Sequence, residues 1–342
     1  MSSMLFSPLK IRETLLKNRI IVSPMCQYSA LEGVANDWHL VHLGSRAVGG
    51  ASLVFVEATG VVMEGRISYG CLALENSTQK DAFINITKFI KSQNSIPGIQ
   101  LSHSGRKGEG EWDIYGPSAV AFSDRYKTPR ALETKEIYAL ADKFVQSAKL
   151  ALEAGFEVIE AHMAHGYLMH QFLSPLSNFR TDEFGGSLEN RMRLPLLVAK
   201  ALRDFWPSDK AVFVRISATD WTEGGWDLNQ SIILCRELKK IGIDFIDVST
   251  GGNVAKASIP VGPGYQVKFA SEIKKEVGIL TGAVGMITEA KFAEEILINE
   301  KADAILFAHE LLREPYWPIK AALELGDSPA IPKQYERAYL KS

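Results

Sequence analysis

The chain has 342 residues, 46% of them hydrophobic, and its charged side chains nearly cancel to a formal charge of −2. A balanced charge excludes the basic surface that attracts nucleic acid or an anionic membrane. The sequence contains no apolar run of signal-peptide or membrane-spanning length, and its three cysteines are too few for a disulfide framework. We therefore expect a cytoplasmic protein with neither a nucleic-acid nor a membrane partner.

Short β-branched runs alternate along the chain with longer amphipathic segments, and no linker interrupts them. Near-continuous apolar runs are typical of parallel strands that are buried on both faces. Eight strand–helix units in series predict an α/β fold, a (β/α)₈ TIM barrel that forms one domain over residues 1–342. A doubly wound open sheet is the competing interpretation. The predicted strands lie at 19–24, 51–59, 98–103, 156–162, 211–219, 245–250, 279–284 and 303–309.

The clearest helical pattern covers residues 135–154, with apolar side chains along one stripe. Thr134 has the residue type of an N-cap, and Gly155 that of a C-terminal stop. Before the first barrel strand, the segment 5–18 reads LFSPLKIRETLLKN. We interpret it as an N-terminal hairpin that caps the bottom of the barrel.

Polar side chains stand at the end of nearly every predicted strand. Barrel enzymes build their sites at the carboxyl ends of the strands, so a ring of such groups indicates a function. The glycine-rich stretch 281–286 follows the same logic, because backbone N–H groups without a side chain in the way can approach a phosphate. A plain tight turn would explain those glycines equally well. The ring contains Cys26, Tyr28, Ala58, Gln100, His162, His165, Tyr167, Arg215, Gly282, Gly285 and His309.

Three of the seven histidines fall in the segment 160–175, EAHMAHGYLMHQFLSP. A zinc site of a barrel hydrolase or aldolase is one interpretation, but such a site needs a third ligand in reach of His162 and His165. His170 lies five positions further on, and we expect Glu160 to point away from the barrel interior. Binding of a substrate and purely structural burial remain the other interpretations of these histidines.

A series of motifs runs in order along nearly the whole chain, from about residue 5 to about residue 337. They read LKNRI, SPMCQYSA, VEATGV, GIQLSHSGRK, HMAHGYLMHQFLSPLSNFRTDEFGGSLENR, FVRIS, TGAVGMI and QYER. Together they resemble the Old Yellow Enzyme family of flavin-dependent ene-reductases, and most closely its bacterial thermophilic-like subclass. The segment 162–191 is the most specific part of this resemblance.

The resemblance implies an NADPH dehydrogenase or ene-reductase that binds FMN non-covalently and is reduced by NADPH or NADH. The hydride would pass to the β-carbon of a small α,β-unsaturated substrate such as an enone, a maleimide or a nitro compound. His162 and His165 would hydrogen-bond the substrate oxygen, and Tyr167 would protonate the α-carbon. Cys26 and Tyr28 would line the substrate pocket, and Cys26 would also tune the flavin.

Physical chemistry agrees with these roles. Hydride addition builds negative charge on the conjugated oxygen, and two preplaced N–H donors lower that barrier. Two adjacent imidazoles discourage double protonation, so at least one should be neutral near pH 7. A tyrosine with an ordinary pKa of ~10 stays protonated and can act as a general acid.

The resemblance also implies a set of FMN-binding residues. A positive charge at Arg215 would stabilise the reduced flavin ring, although a structural ion pair would equally explain a buried arginine. Gln100 can both donate to and accept from the flavin's imide edge. The full set is Ser23, Pro24, Met25, Cys26, Ala58, Gln100, Arg215, Gly282, Gly285, Ala308 and His309.

Two further expectations come from the C-terminal part of the chain. The subclass commonly has Gly-Arg after strand eight, whereas this chain has Ala308-His309, which predicts weaker FMN retention because histidine is charged only part of the time near neutral pH. Arg337 matches an arginine that reaches a neighbouring subunit's active site, so we expect a homodimer or homotetramer.

Other functions remain open at this point. An FMN-dependent nitroester or xenobiotic reductase would use the same residues. A dihydroorotate- or dihydrouridine-type flavoenzyme would need a different base, and in the second case also a basic surface for tRNA. A non-catalytic FMN-binding protein is the remaining alternative.

Overall fold

A computed structural model describes residues 3–339. Eight parallel strands close into a barrel, in which each strand pairs with its neighbours in the chain and the eighth pairs with the first. The predicted (β/α)₈ TIM barrel is therefore confirmed, and the open sheet was wrong. The barrel strands, numbered one to eight in chain order, are Ile20–Val22, Leu53–Gly60, Ile96–Ser102, Val158–Met163, Val212–Ser217, Phe245–Ser249, Leu280–Ala283 and Ala304–Phe307.

Helices follow the strands and cover the barrel. None of those in residues 3–339 is both long and apolar enough to span a membrane. Short 3₁₀ turns occur at Met63–Gly65, Gly105–Lys107 and Lys333–Ala338, and a two-residue ladder joins Tyr115–Gly116 to Arg130–Ala131. The α-helices are Asp37–Val48, Ser77–Ser92, Thr134–Glu153, Leu168–Leu173, Leu188–Phe205, Leu228–Ile241, Val267–Val277, Ala290–Ile298, His309–Arg313 and Trp317–Leu325.

The helix Thr134–Glu153 begins one residue earlier than predicted. Glu133 is its N-cap, and the Glu136 carboxylate accepts a hydrogen bond from the Glu133 backbone N–H at 2.7 Å. The expectation that Thr134 caps this helix was therefore wrong, because a glutamate already satisfies the first free N–H group. Gly155 adopts a φ of +92° just after the helix and confirms the predicted stop.

The N-terminal hairpin forms as predicted, from the antiparallel strands Leu9–Ile11 and Thr14–Leu16. Its buried side chains Leu9, Ile11 and Leu16 pack against residues at the amino ends of the barrel strands, among them Phe213 and Phe245. The two phenylalanine rings stack with centroids 4.3 Å apart. The hairpin thus closes the bottom of the barrel with an apolar plug.

The two adjacent leucines of the second hairpin strand provide a test of this plug. Leu16 is fully buried, whereas Leu15 is 58% exposed. We expect Leu16→Ala to lower the free energy of unfolding by about 2–5 kcal/mol through lost burial and a cavity. Leu15→Ala should change it by less than about 0.5 kcal/mol. Urea unfolding measures both, and equal effects would contradict a plug built by Leu16.

Candidate active site

The fourth barrel strand ends in a tight turn that carries two histidines. His162 lies within the strand, and the chain then turns through His165 and Gly166, with left-handed φ angles of 58° and 73°. The His165 backbone N–H donates to Ser217 Oγ at 2.9 Å. A Cβ on Gly166 would lie 2.2 Å from the Gly252 carbonyl oxygen, so only glycine permits this close approach. The turn therefore rests against the loops after strands five and six.

The two imidazole rings and Tyr167 form a compact group. The ring centroid of His162 lies 5.2 Å from that of His165 and 5.0 Å from that of Tyr167. The Ala164 backbone N–H donates to His162 Nδ1 at 3.3 Å, and His165 Nε2 lies 2.8 Å from Ser249 Oγ. No other residue of the described chain hydrogen-bonds these rings, so His162 Nε2 and His165 Nδ1 are available to a ligand.

Burial fixes the protonation state of this group. It lowers the pKa of His162 and of His165 well below the usual 6.5, and the nearby positive charge of Arg215 lowers both further. Both imidazoles are therefore neutral near pH 7, and each still offers one N–H donor. Burial also raises the pKa of Tyr167 well above 10, so its hydroxyl keeps its proton.

His170 belongs to a separate, fully buried network. The Gly166 backbone N–H donates to His170 Nδ1 at 2.9 Å, while His170 Nε2 lies 2.9 Å from Asp220 Oδ1. Asp220 also accepts a hydrogen bond from Ser174 Oγ at 2.5 Å. His170 thus supports the turn from behind. Within residues 3–339 the three histidines of this segment do not converge as metal ligands, which removes the basis for the zinc interpretation.

A layer of charged side chains lies inside the barrel below the histidines. Arg215 Nε lies 2.9 Å from Asp247 Oδ2, and Gln100 Nε2 donates to Glu160 Oε1 at 2.8 Å. Burial raises the pKa of Asp247 to about 6. The expectation that Glu160 points away from the interior was wrong. It stands two residues before His162 on one strand, and such residues share a face.

The residues predicted to hold FMN fit a bound polar ring system. Ser23 is buried at the end of strand one, and its hydroxyl has no hydrogen-bond partner in the described chain. Arg215 meets Asp247 through Nε, and no acceptor within residues 3–339 binds its two terminal nitrogens. Buried polar groups in proteins are normally paired. These unpaired donors are therefore suited to a ligand.

A cavity of about 370 Å³ opens between the loops that follow strands seven and eight. Gly285, Ala308 and His309, whose contact with the phosphate stays a prediction, line it together with Arg313. Arg313 follows His309 by four residues on one short helix, a spacing that places both on the same side. The sequence reasoning missed Arg313. Gly282 instead serves packing, since a Cβ there would lie 2.1 Å from Leu306 Cδ1.

The remaining predicted residues differ in how deeply they are buried. Tyr28 is 61% exposed at the barrel mouth, close to Cys26. Arg337 is exposed on the turn Lys333–Ala338, and its reach into a neighbouring subunit stays a prediction. In the loop after strand one, Pro24, Met25 and Cys26 are half-buried, and Ala58 is buried in strand two.

The family model described as NADH:flavin oxidoreductase / NADH oxidase matches residues 4–328. The chain belongs to this family. An NADPH dehydrogenase of Bacillus velezensis is 47% identical over 341 residues, covering 99% of this chain and all of that protein. One of Bacillus subtilis is 45% identical with the same coverage. Among solved structures, morphinone reductase superposes with a TM-score of 0.83 at 25% identity, over 96% of this chain and 91% of that one.

Membership of the NADH:flavin oxidoreductase family confirms the resemblance to the Old Yellow Enzyme family. It makes the protein an oxidoreductase that uses FMN together with a nicotinamide nucleotide. When bound, FMN supplies the hydride chemistry. The residue roles predicted from the sequence are not decided by these similarities, and they are taken up below as a proposal.

The Ala308-His309 pair gives a testable consequence for FMN binding. We expect His309→Arg to retain FMN more tightly, with a difference that grows from about pH 6 to about pH 9, because arginine keeps its charge while histidine loses it. FMN release after dilution, followed by its fluorescence, measures this. As a matched control, His309→Gln should release FMN at a rate that does not depend on pH in this range. A variant His309→Arg that binds no tighter at about pH 8.5 would contradict the assignment.

Proposed function

We propose that this enzyme reduces the carbon–carbon double bond of activated alkenes, such as enones, maleimides and nitroalkenes. NADPH or NADH would be the reductant. The observation that supports this proposal best is the convergence of two neutral imidazole donors and one protonated tyrosine at a single strand end. These are the groups that an alkene reduction needs, namely donors for a developing oxyanion and an acid for the adjacent carbon.

The histidine pair binds the carbonyl or nitro oxygen of the substrate. In this proposal His162 Nε2 and His165 Nδ1 each direct an N–H at that oxygen, because the Ala164 backbone N–H donates to His162 Nδ1 and the Ser249 hydroxyl is assigned as the donor to His165 Nε2. Negative charge grows on the oxygen as hydride reaches the β-carbon, so these hydrogen bonds strengthen in the transition state. Removing one such donor typically costs about 10²–10³-fold in rate.

Tyr167 provides the proton for the α-carbon. Its hydroxyl stays protonated because burial raises its pKa. Lys107 Nζ lies 5.0 Å from the centroid of the Tyr167 ring and donates to the His165 and Gly252 carbonyl oxygens at 2.9 and 3.1 Å. Its positive charge compensates the phenolate that proton donation leaves behind. The same lysine holds the His165 turn in place, which couples the acid to the oxygen-binding pair.

Reduction of nitroesters and other xenobiotics is the second candidate, because a nitro group also presents oxygens to paired N–H donors. A panel of enones, maleimides, nitroalkenes and nitrate esters, compared by kcat/KM, separates the two. The proposal further includes one FMN-binding domain over residues 1–342 and a homodimer or homotetramer in which Arg337 reaches the neighbouring site. Sedimentation of the natural chain and of Arg337→Ala tests that assembly.

Tyr167→Phe tests the proton donor. We expect enone reduction to slow by about 10²–10⁴-fold, because general acid catalysis is lost, while reduction of FMN by NADPH remains nearly unchanged. Anaerobic stopped-flow absorbance of the flavin measures the two half-reactions separately. Tyr138→Phe, on an exposed side of the helix Thr134–Glu153, serves as the control. Equal loss in both half-reactions would show that Tyr167 is not the acid.

Amide substitutions test which ring nitrogen each histidine offers. An asparagine amide nitrogen occupies the position of Nδ1, and a glutamine amide nitrogen reaches the position of Nε2. His165→Asn and His162→Gln should therefore keep enone kcat/KM within about 10-fold, while His165→Gln and His162→Asn lose about 10²–10³-fold. The opposite order, or equal losses for both amides at each position, would overturn the assigned geometry.

A further inference from the structure

Three ligand-type side chains converge beside the barrel mouth, and only one of them, Cys26, belongs to the residues that are expected to contact flavin and substrate. The Sγ atoms of Cys26 and Cys71 and a carboxylate oxygen of Glu57 all lie within 4.8 Å of one another. Cys26 follows strand one, and Glu57 stands in strand two where its pairing with strand three shifts register between Val56 and Ala58. No other group of three such side chains converges within residues 3–339.

The loop that carries Cys71 is held firmly in this position. The Ala30 backbone N–H donates to the Gly70 carbonyl oxygen at 2.9 Å, which joins the loops after strands one and two. A Cβ on Gly70 would lie 2.5 Å from the Tyr28 carbonyl oxygen, so the two backbones can only meet at a glycine. Ser68 Oγ lies 3.4 Å from Cys71 Sγ. These backbone contacts therefore hold the thiols of Cys26 and Cys71 close together.

A buried carboxylate forms one side of the cluster. Glu57 is 3% exposed, and its carboxylate oxygens make no well-formed hydrogen bond. His39 Nε2 lies 3.3 Å from Glu57 Oε1. Burial raises the pKa of Glu57, and a hydrogen bond with Cys71, burial and the Glu57 charge raise the pKa of Cys26 well above its usual value. The same hydrogen bond lowers the pKa of Cys71 to about 7.

We propose that Cys26, Glu57 and Cys71 bind one soft divalent cation of the zinc or cadmium class. Two sulfurs and one carboxylate oxygen suit such a cation in tetrahedral geometry, with the fourth position left to water or an incoming ligand. Binding releases the two thiol protons to solvent and forms two metal–sulfur bonds and one metal–oxygen bond. His39, which contacts the Glu57 carboxylate, holds it in orientation for the cation.

The place of this site gives the bound cation an effect on the enzyme. Cys26 is half-buried, so a cation reaches the site from the barrel mouth. Tyr167 and Cys26 pack together against the small buried cluster that contains Cys71. A cation here lies beside the proposed proton donor and would inhibit turnover. Its binding goes beyond alkene reduction and is measured without any substrate.

A disulfide between the two cysteines is the competing chemistry. It requires a thiolate, which the hydrogen bond with Cys26 favours by lowering the pKa of Cys71 to about 7, and it also consumes a two-electron oxidant, which metal binding does not. A disulfide would also leave Glu57 without a role. The geometry therefore favours the cation, and a chelator separates the two, because it reverses metal binding but not disulfide formation.

The test is a titration of the FMN-loaded enzyme, kept reduced under nitrogen and freed of metal by a chelator, with cadmium ions. The thiolate-to-cadmium charge-transfer absorbance should saturate at one equivalent per chain, and zinc should displace it. Cys71→Ser and Glu57→Gln should each weaken binding by at least about 100-fold, since even outer-shell partners are worth 10–100-fold. Cys235→Ser, at a buried cysteine elsewhere, should bind normally.

Two results would overturn the proposal. One is a charge-transfer band that is absent, or that depends on Cys235 as strongly as on Cys71. The other is a loss of free thiols that a chelator does not restore but a reductant does, which would establish the disulfide instead. A Glu57→Gln variant that fails to fold leaves Cys71→Ser to decide the matter. Neither result bears on the alkene assays, so the two proposals fail separately.

Discussion

Arg215 is a cation inside the barrel, and the charge state of its surroundings depends on how it is neutralised. Asp247 lies 2.9 Å away and supplies the counter-charge. Leaving such a charge unpaired in an interior would cost several kcal/mol. Below the pair, the stacked rings of Phe213 and Phe245 exclude water. Above it, the same positive charge adds to burial in keeping His162 neutral. One ion pair thus separates an apolar base from a polar mouth.

The fold was predictable because its signal is local and repeated. Eight apolar runs of strand length, each followed by an amphipathic stretch, leave few architectures that can bury them all. The predicted strands agree with the observed ones to within two residues at each end. The helix cap at Thr134 failed for a reason that local sequence does not reveal. Glu136 reaches back to the Glu133 backbone N–H, so the cap forms around Glu133 and not around Thr134.

The positions of the site residues were predictable only for side chains that lie at the end of a barrel strand. His162, His165 and Tyr167 follow one strand end, so the rule that barrel sites lie at carboxyl ends brought them together. A count of alternate residues along strand four would have placed Glu160 inside as well. The contact between Cys71 and Cys26 could not be predicted in this way. The two residues lie 45 positions apart in the chain, and their contact depends on the close approach at Gly70.

The N-terminal hairpin determines from which end of the barrel ligands can approach. Since Leu9, Ile11 and Leu16 seal the amino end of the barrel, every molecule that reaches the interior must enter and leave through the opposite end. Electron donor and electron acceptor therefore approach the polar side chains from the same face of the barrel.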